Sequence, residues 1–241
     1  MYLKCIFDDE FSEKTGGIST GNEFLERLAD KSLTPEKLWD LVKQDFGLIP
    51  RLLEGVSSSR AGIRYGCSKV LMELSEVYPE KLYPYMGFFI DLLDNEYRIL
   101  TWNAIAIVAN LTKVDRDKRF DAVFDKYYSL MNDGYMATVA NVVGHSGEIA
   151  LAKPYLADRI TNELLKVDDH AVTPHLTEEC KRVIVEKTIQ SFDMFFDKIN
   201  EKEKVISFAE RHVQTSRKTL NTKAEDFLRK WRKPVNESRL V

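Results

Sequence analysis

Apolar side chains recur at three- and four-residue spacing along most of the chain, which is the period of an amphipathic α-helix. Residues 60–77 (RAGIRYGCSKVLMELSEV) and 81–94 (KLYPYMGFFIDLLD) show this spacing most clearly. Each segment has one apolar face, formed by Ile63, Cys67, Val70, Leu71 and Leu74 in the first and by Leu82, Met86, Phe89, Ile90 and Leu93 in the second. Both segments are therefore predicted to be helices that bury one face.

The stretch from Ile99 to Thr112 has no charged side chain, although 30% of the whole chain is charged. A helix that crosses the hydrocarbon core of a bilayer needs about 20 apolar residues. This run is shorter and contains Asn103 and Asn110, and its apolar positions keep the helical spacing. We predict a helix that neighbouring helices cover on nearly every side.

Further helices are predicted from spacing and from capping signals. They begin near residues 20, 34 and 48 and cover residues 117–132, 135–151, 155–166 and 177–199, while residues 202–231 form one broken helix or two. Thr34 followed by Pro35 is an N-cap signal, and Gly134 can take the left-handed conformation that ends a helix. Only YLKCIF near the start has a doubtful strand pattern, so the expected fold class is all-α.

Helices at regular spacing indicate an internal repeat. A shift of 37 residues places Tyr65 on Trp102 and Leu74 on Leu111, and a further shift of 38 places Asn103 on Asn141. This period is that of a unit of two helices.

The segments SSSRAGIRYGCSKVLMEL, DNEYRILTWNAIAIVANL and NDGYMATVANVVGHSGEIAL each place a tight turn before a helix rich in small residues, and a second helix follows. Over about residues 35–200 this pattern resembles the HEAT repeats of the armadillo-like α-solenoid family. The resemblance implies an α-α superhelix of HEAT-like helical hairpins, in which stacked pairs share one core and form one concave surface. The family often has an Arg after the turn, which Arg60 and Arg98 match and Met136 does not.

One α-solenoid domain is expected to cover residues 1–241. It would comprise an N-terminal tail over residues 1–18, HEAT-like helix pairs over residues 19–200, and a basic helical C-terminal cap over residues 201–241. The cap has 11 Lys and Arg against 6 Asp and Glu, whereas the first 200 residues have 24 against 32. Its basic sequence RKWRKP would keep a helix end solvated, bind the acidic surface of a second copy, or contact phosphates.

The resemblance also implies where a partner would bind, because the second helix of each HEAT pair usually lines the concave side. On the predicted helices 81–94 and 117–132, the residues left outside the buried stripes form an acidic groove with aromatic side chains. Such a groove suits a basic peptide or helix, although the next repeat could instead cover the aromatic residues and the Asp row could be a solvated face. The predicted partner-binding residues are Tyr85, Phe88, Leu92, Asp121, Asp125 and Tyr128.

Signatures of common active sites are absent from the sequence. There is no GxxxxGK[ST], GxGxxG, HExxH or GxSxG motif. The sequence VDDHAVTPH places Asp168, Asp169, His170 and His175 close together, but no known metal-ligand spacing is matched. His145 lacks a carboxylate or nucleophile placed by sequence to work with it, and Cys67 and Cys180 lie on apolar helix faces. We therefore expect no catalytic residue, no metal site and no cofactor.

The charge balance bears on the class of partner. A formal net charge of -3 gives no general attraction to nucleic acid or to anionic lipid. Some HEAT-like proteins are alkylpurine DNA glycosylases with aromatic residues and an Asp in the concave cleft, and Trp39, Trp102 and Trp231 are candidates for such a role. However, the residue one turn after Trp102 is Ala106, which has no carboxylate.

The expected function is therefore a non-catalytic scaffold that binds a protein or peptide through the concave face, with a nucleic-acid-processing glycosylase as the alternative. Three separated cysteines without a CxxC pair indicate free thiols in a reducing compartment. The acidic N-terminus is too short in apolar residues for a secretory signal. The expected location is the cytoplasm, with no membrane segment.

Overall fold

A computed structural model describes residues 23–30 and 32–232. Their α-helices are α1 (Glu23–Ala29), α2 (Pro35–Gln44), α3 (Ile49–Val56), α4 (Ala61–Val77), α5 (Pro79–Leu82), α6 (Met86–Asp91), α7 (Arg98–Leu111), α8 (Arg119–Ser129), α9 (Met136–Ala152), α10 (Ala157–Leu165), α11 (Glu178–Phe195), α12 (Lys202–Glu210) and α13 (Lys218–Trp231). In this part of the chain the only β-pairing is an isolated bridge between Thr173 and Leu176. The all-α prediction is confirmed, and the segments YLKCIF and 1–18 lie outside the described residues.

Local sequence signals fix several helix ends. The Thr34 hydroxyl accepts a hydrogen bond from the backbone N–H of Lys37, which satisfies a free donor at the start of α2. Gly134 has φ +76 and ends the helical segment before α9, as predicted. The predicted break in residues 202–231 is also confirmed, since α12 ends at Glu210 and α13 begins at Lys218.

The prediction of one continuous helix over residues 81–94 is wrong. The segment consists of the end of α5, a 3-10 turn at Tyr83–Tyr85, α6, and a second 3-10 turn at Leu92–Asp94. Pro84 explains the interruption, because proline has no N–H to donate and its ring clashes with the carbonyl four residues earlier.

The helices form two layers. The long helices α4, α7, α9, α11 and α13 stand side by side, and each one packs against the next. The first three begin at Ala61, Arg98 and Met136, which are 37 and 38 residues apart, as the repeat analysis predicts. Shorter helical segments, including α3, α6, α8, α10 and α12, form the second layer. One cluster of buried apolar side chains runs through the stack from Phe24 to Phe227, which is the organisation of an α-solenoid.

Small residues let the long helices approach closely, most of all between α9 and α11. A Cβ atom added at Gly147 would lie 2.6 Å from Sδ of Met194 and 3.2 Å from the backbone oxygen of Ser191. The Ser191 hydroxyl donates a hydrogen bond to the backbone oxygen of Val143 across the same contact. The contact between α9 and α11 therefore depends on the absence of a side chain at residue 147.

Polar side chains connect one repeat to the next. Arg98 Nη1 lies 2.6 Å from Oδ2 of Asp133, and the guanidinium stacks 3.5 Å from the centre of the Tyr135 ring. Arg64 stacks in the same way on Tyr97, at 3.8 Å. Of the two arginines that match the resemblance, Arg98 follows the turn before α7 and contacts the next repeat, whereas Arg60 precedes α4 and pairs with Glu26 of α1.

Lys153 joins two turns of the solenoid through a buried network. Its ammonium lies 2.9 Å from Oδ2 of Asp115 and 3.0 Å from Oδ1 of Asp121, and the side chain is 3% exposed. Asp115 also accepts hydrogen bonds from the backbone N–H groups of Arg119 and Phe120 at the start of α8. Burial alone would lower the pKa of Lys153, but its bonds to Asp115, Tyr155 and Asp121 outweigh burial and raise the pKa.

Candidate binding surfaces

Tyr85, Phe88 and Leu92, which are predicted to bind a partner, lie on the interrupted segment around α6. All three side chains are half-buried and pack against the core. Phe88 also meets Phe89 edge to face, with ring centres 5.5 Å apart. Much of the predicted apolar stripe therefore belongs to the packing of its own repeat.

The prediction that Tyr128 lines a surface groove is wrong. The Tyr128 side chain is only 2% exposed, and its hydroxyl donates a hydrogen bond to Oγ of Ser146, 3.1 Å away on α9. Phe124 and Tyr127 of the same helix are buried beside it. Residue 128 follows Tyr127 of the predicted apolar stripe, and the buried surface of α8 is wide enough to include both residues.

The aspartates of α8 bind the following repeat. Asp121 accepts a hydrogen bond from the Tyr155 hydroxyl at 2.9 Å and pairs with the buried ammonium of Lys153. Asp125 pairs with Arg159 at 2.8 Å, yet its side chain remains 90% exposed. Of the two predicted carboxylates, Asp125 is thus the one accessible to a partner, and partner binding at this surface stays a prediction.

The spacing of the layers identifies the concave side. Successive long helices from α4 to α13 contact each other directly, whereas α6, α8 and α10 make few contacts with one another. In a curved stack of two layers, the more closely spaced layer lies on the inside. The structure therefore favours the long helices, rather than segments 81–94 and 117–132, as the concave layer.

Several side chains of the long helices leave the core on this inner side, and we call them the long-helix face. They are exposed or half-buried and alternate between polar, charged and large apolar groups. The face consists of Glu76, Ile99, Asn103, Lys113, Asn141, His145, Glu148, Leu151, Lys187, Gln190 and Met194.

Charges of both signs surround His145 at the centre of the face. Burial lowers the pKa of the imidazole; Glu148 and Glu76 raise it, and Lys113 and Lys187 lower it further. These four charged residues lie on α4, on α9, on α11 and just after α7. The face thus brings together charges from three long helices and from the turn that follows a fourth, which no short sequence motif could show.

Polar groups on or beside the face differ in whether their hydrogen-bonding capacity is satisfied within the chain. Asn103 donates a hydrogen bond to Oγ of Ser68 at 2.8 Å, and the neighbouring buried Asn110 donates one to Oγ of Ser75 at 3.0 Å. By contrast, Oε2 of Glu148 is buried and accepts no hydrogen bond from the described residues. Its nearest cation is the Lys113 ammonium, 3.5 Å away.

Asp168, His175 and Cys67, three of the other candidate residues, have structural roles. Within the described residues no group of His, Cys, Asp and Glu side chains is arranged to hold a metal ion. Asp168 binds Arg211 and His212, and His175 stacks on Tyr135 with ring centres 4.3 Å apart. Cys67 is fully buried, and burial raises the pKa of its thiol to about 12, which disfavours the reactive thiolate.

The three tryptophans are in different repeats. Trp39 and Trp102 lie on α2 and α7, where Lys43 stands over the first ring and Thr138 accepts a hydrogen bond from the second indole. Trp231, near the end of α13, donates a hydrogen bond to Asp193. They do not form the common aromatic cleft that the glycosylase alternative would require.

The described cations of the sequence RKWRKP already have partners within the chain. Arg229 pairs with Asp226, Lys230 with Asp193, and Arg232 with Glu210. Lys233 lies outside the described residues. Self-association through this segment would have to exchange these ion pairs, and it stays a prediction.

Comparison with known proteins identifies the fold. No family model matches the chain, and no curated protein matches its sequence. Its shape does match solved structures. A computationally designed armadillo repeat protein for modular peptide recognition has a TM-score of 0.57 and 17% identity, with 86% of this chain and 90% of that one covered. The fold is that of an armadillo/HEAT-like solenoid.

Two further designed armadillo repeat proteins match with similar coverage. One has a TM-score of 0.52 and 16% identity, covering 86% of this chain and 90% of that one. The other was solved in complex with the peptide (KR)4, and has a TM-score of 0.53 and 14% identity over 86% and 91% of the two chains. At these identities the likeness shows the fold alone.

The part of the armadillo-like chain that the structure describes has no helix long and apolar enough to cross a membrane.

Proposed function

We propose that this armadillo-like chain is a single solenoid domain that binds a protein or peptide without catalysing a reaction, and that it does so through the long-helix face. The observation that carries the proposal is a set of large apolar side chains on neighbouring helices of that face. Leu151 and Met194 are 48% and 42% exposed near the C-terminal ends of α9 and α11, while Ile99, which is 42% exposed, lies at the N-terminal end of α7. Apolar side chains exposed on neighbouring helices, with polar groups between them, are typical of a partner-binding surface.

The polar groups of the face indicate what the partner offers. Glu76 is an exposed carboxylate at one side of His145, and Glu148, which is half-buried and pairs with Lys113, is a second carboxylate at the other side. A basic side chain suits this surface, because Lys and Arg are donors that also carry positive charge. The half-buried amides of Asn103 and Asn141 are suited to hydrogen-bond the backbone of an extended segment. We infer a peptide segment with Lys or Arg; a designed armadillo repeat protein of the same fold was solved in complex with a peptide, which supports peptide binding in general.

The surface predicted from the sequence, formed by Tyr85, Phe88, Leu92, Asp121 and Asp125, is the competing location for the same function. A single pair of variants separates the two surfaces. Glu76→Lys and Asp125→Lys both replace an exposed carboxylate by an ammonium, so they change the net charge equally. The first change lies on the long-helix face and the second on α8.

Peptide selection on the purified protein tests the proposal. Peptides displayed as a random library are selected on the wild-type chain, and the winners are titrated against both variants. We expect enrichment of Lys and Arg, and at least about tenfold weaker binding to Glu76→Lys than to Asp125→Lys, since the contact of one charge pair is replaced by repulsion. The reverse order would place the site on α8, and a library that yields no binder at all would count against peptide binding.

The free thiols of Cys67 and Cys180 support a reducing compartment, and we propose that the protein acts in the cytoplasm.

A further inference from the structure

A small basic cleft opens beside the loop between α7 and α8, separate from the centre of the long-helix face. It has a volume of about 260 Å³ and lies between that loop and the residues that follow α9. Its lining includes one carboxylate, Asp115, and four cations, Lys113, Arg116, Lys118 and Lys153. A cleft with this balance is unusual in a chain whose first 200 residues carry more acidic than basic groups.

Two of the four cations are neutralised within the protein. Lys153 is buried against Asp115 and Asp121, and Lys113 lies 3.5 Å from Glu148. The other two, Arg116 and Lys118, are exposed and have no carboxylate within ion-pair distance among the described residues. Arg116 and Lys118 therefore have no carboxylate partner of their own, and the groups around the cleft keep a net charge of +1, because Lys153 alone faces two carboxylates.

The remaining carboxylate of the loop is engaged elsewhere. Asp117 lies 3.4 Å from the Arg119 guanidinium, and its backbone N–H donates a hydrogen bond to the Tyr83 hydroxyl oxygen. Asp115 is fully used as well, because Lys153, Tyr83 and two backbone N–H groups all bind its two oxygens. Asp115 is thus held away from Arg116 and Lys118, and Asp117, which is 61% exposed, points toward Arg119 instead.

The loop holds Lys118 at the cleft. Its backbone has φ 56, in the left-handed region that residues other than glycine seldom adopt. Its ammonium stands over the Tyr155 ring, 5.2 Å from the ring centre. That ring is itself fixed, because the Tyr155 hydroxyl bonds to Asp121 and to Lys153, although 56% of the residue remains exposed. The cation is thus placed by an anchored aromatic side chain, which lowers the entropy lost when it binds an anion.

We propose that this cleft binds a phosphate-type oxyanion, with Arg116 and Lys118 as its ligands. A phosphoryl group carries close to two negative charges and three strong acceptor oxygens, which matches two cations without counter-ions. Arginine supplies a planar fork for two oxygens, and lysine supplies a point charge. The phosphoryl group belongs either to free inorganic phosphate or to a phosphorylated side chain of a partner.

Titration with inorganic phosphate followed by ¹H–¹⁵N NMR tests the site on the full chain. Potassium chloride at equal ionic strength is the reference, because salt alone screens surface charges. The test variant is Arg116→Gln/Lys118→Gln. The matched control is Lys37→Gln/Lys43→Gln on α2, which removes the same charge from exposed positions; Lys43 also stands 5.2 Å over an aromatic ring, that of Trp39.

We expect saturable shifts of the amides of residues 112–119, 153 and 155 for wild type and for the control. In the test variant the affinity should fall by about tenfold or more, since each charge-assisted hydrogen bond contributes strongly to binding. Shifts that match those in chloride, or that persist in Arg116→Gln/Lys118→Gln, would overturn the proposal. Because the substituted side chains are exposed, circular dichroism should show both variants folded.

A second titration identifies the source of the anion. N-acetyl-phosphoserine amide is compared with inorganic phosphate, and N-acetylserine amide is the uncharged reference. Tighter binding of the phosphoserine derivative supports a phosphorylated partner, and tighter binding of phosphate supports the free ion. Equal binding of the uncharged serine derivative would show that the cleft does not recognise the phosphoryl group.

Discussion

The close contact between α9 and α11 predicts opposite behaviour for two glycines of the same helix. Gly144 and Gly147 both lie in the interior of α9, three residues apart. A Cβ atom at Gly144 would have no neighbour within 4 Å, whereas one at Gly147 would lie 3.2 Å from the Ser191 backbone oxygen and 2.6 Å from Sδ of Met194. Substitution by alanine therefore adds the same methyl group to open space in one case and to a filled contact in the other.

The magnitudes follow from two terms. Replacing an interior helical glycine by alanine stabilises the folded state by about 1 kcal/mol through helix propensity. At residue 147 the inserted methyl must push α11 away or displace Met194, and such overpacking costs about 1–3 kcal/mol. We therefore expect Gly144→Ala to stabilise the protein by about 1 kcal/mol, and Gly147→Ala to be about 1–3 kcal/mol less stable than Gly144→Ala.

Urea unfolding followed by far-UV circular dichroism measures both free energies. A double variant, Gly147→Ala/Met194→Ala, should recover part of the loss, because removing the thioether relieves one of the close contacts and the two sites are then coupled. Equal stabilisation by Gly144→Ala and Gly147→Ala would refute this account of the packing between α9 and α11.

Two further predictions concern ionisable groups. Lys153→Met should lower the free energy of unfolding by about 3–5 kcal/mol, since it leaves Asp115 buried without its cation. The double variant Lys153→Met/Asp115→Asn should restore part of this loss. A loss below about 1 kcal/mol for Lys153→Met in urea unfolding would contradict the buried pair. Burial lowers the pKa of His145 in the folded state, so the unfolded chain takes up a proton first as the pH falls below about 6.5. Stability from this group is therefore present above that pH and lost as the pH falls toward the folded pKa. The change in urea midpoint between about pH 7.5 and 5.5 should therefore be smaller in His145→Gln than in wild type. Part of the pH dependence should remain in this variant, because burial also lowers the pKa of His170. Equal changes in midpoint in both proteins would contradict the role of His145.

Much of the fold could be predicted from the sequence because helix spacing and capping are local properties. The spacing of apolar residues places α4, α7 and α9, and the repeat period of 37 to 38 residues matches their first residues. Thr34 and Gly134 act at helix ends as their chemistry requires. These signals need only neighbours along the chain.

The placement of the candidate site could not be predicted in the same way. Tyr128 and Asp121 follow the spacing of an outer stripe, yet a contact with α9 buries the first and the buried Lys153 engages the second. Which layer is concave depends on distances between helices far apart in sequence. The charges around His145 come from three helices and the turn after a fourth, and the basic cleft joins the loop after α7 to the segment after α9. Such groupings arise from tertiary packing and leave no local pattern.

Capture of partners from native cell extract tests the central claim of peptide or protein binding through the long-helix face most directly. The wild type, Glu76→Lys and Asp125→Lys chains are immobilised in parallel, with and without nuclease, and bound proteins are identified by mass spectrometry. We predict a stoichiometric protein partner that survives nuclease, binds Asp125→Lys as it binds wild type, and is lost from Glu76→Lys. Recovery that requires nucleic acid, or a partner that Glu76→Lys retains, would contradict the claim.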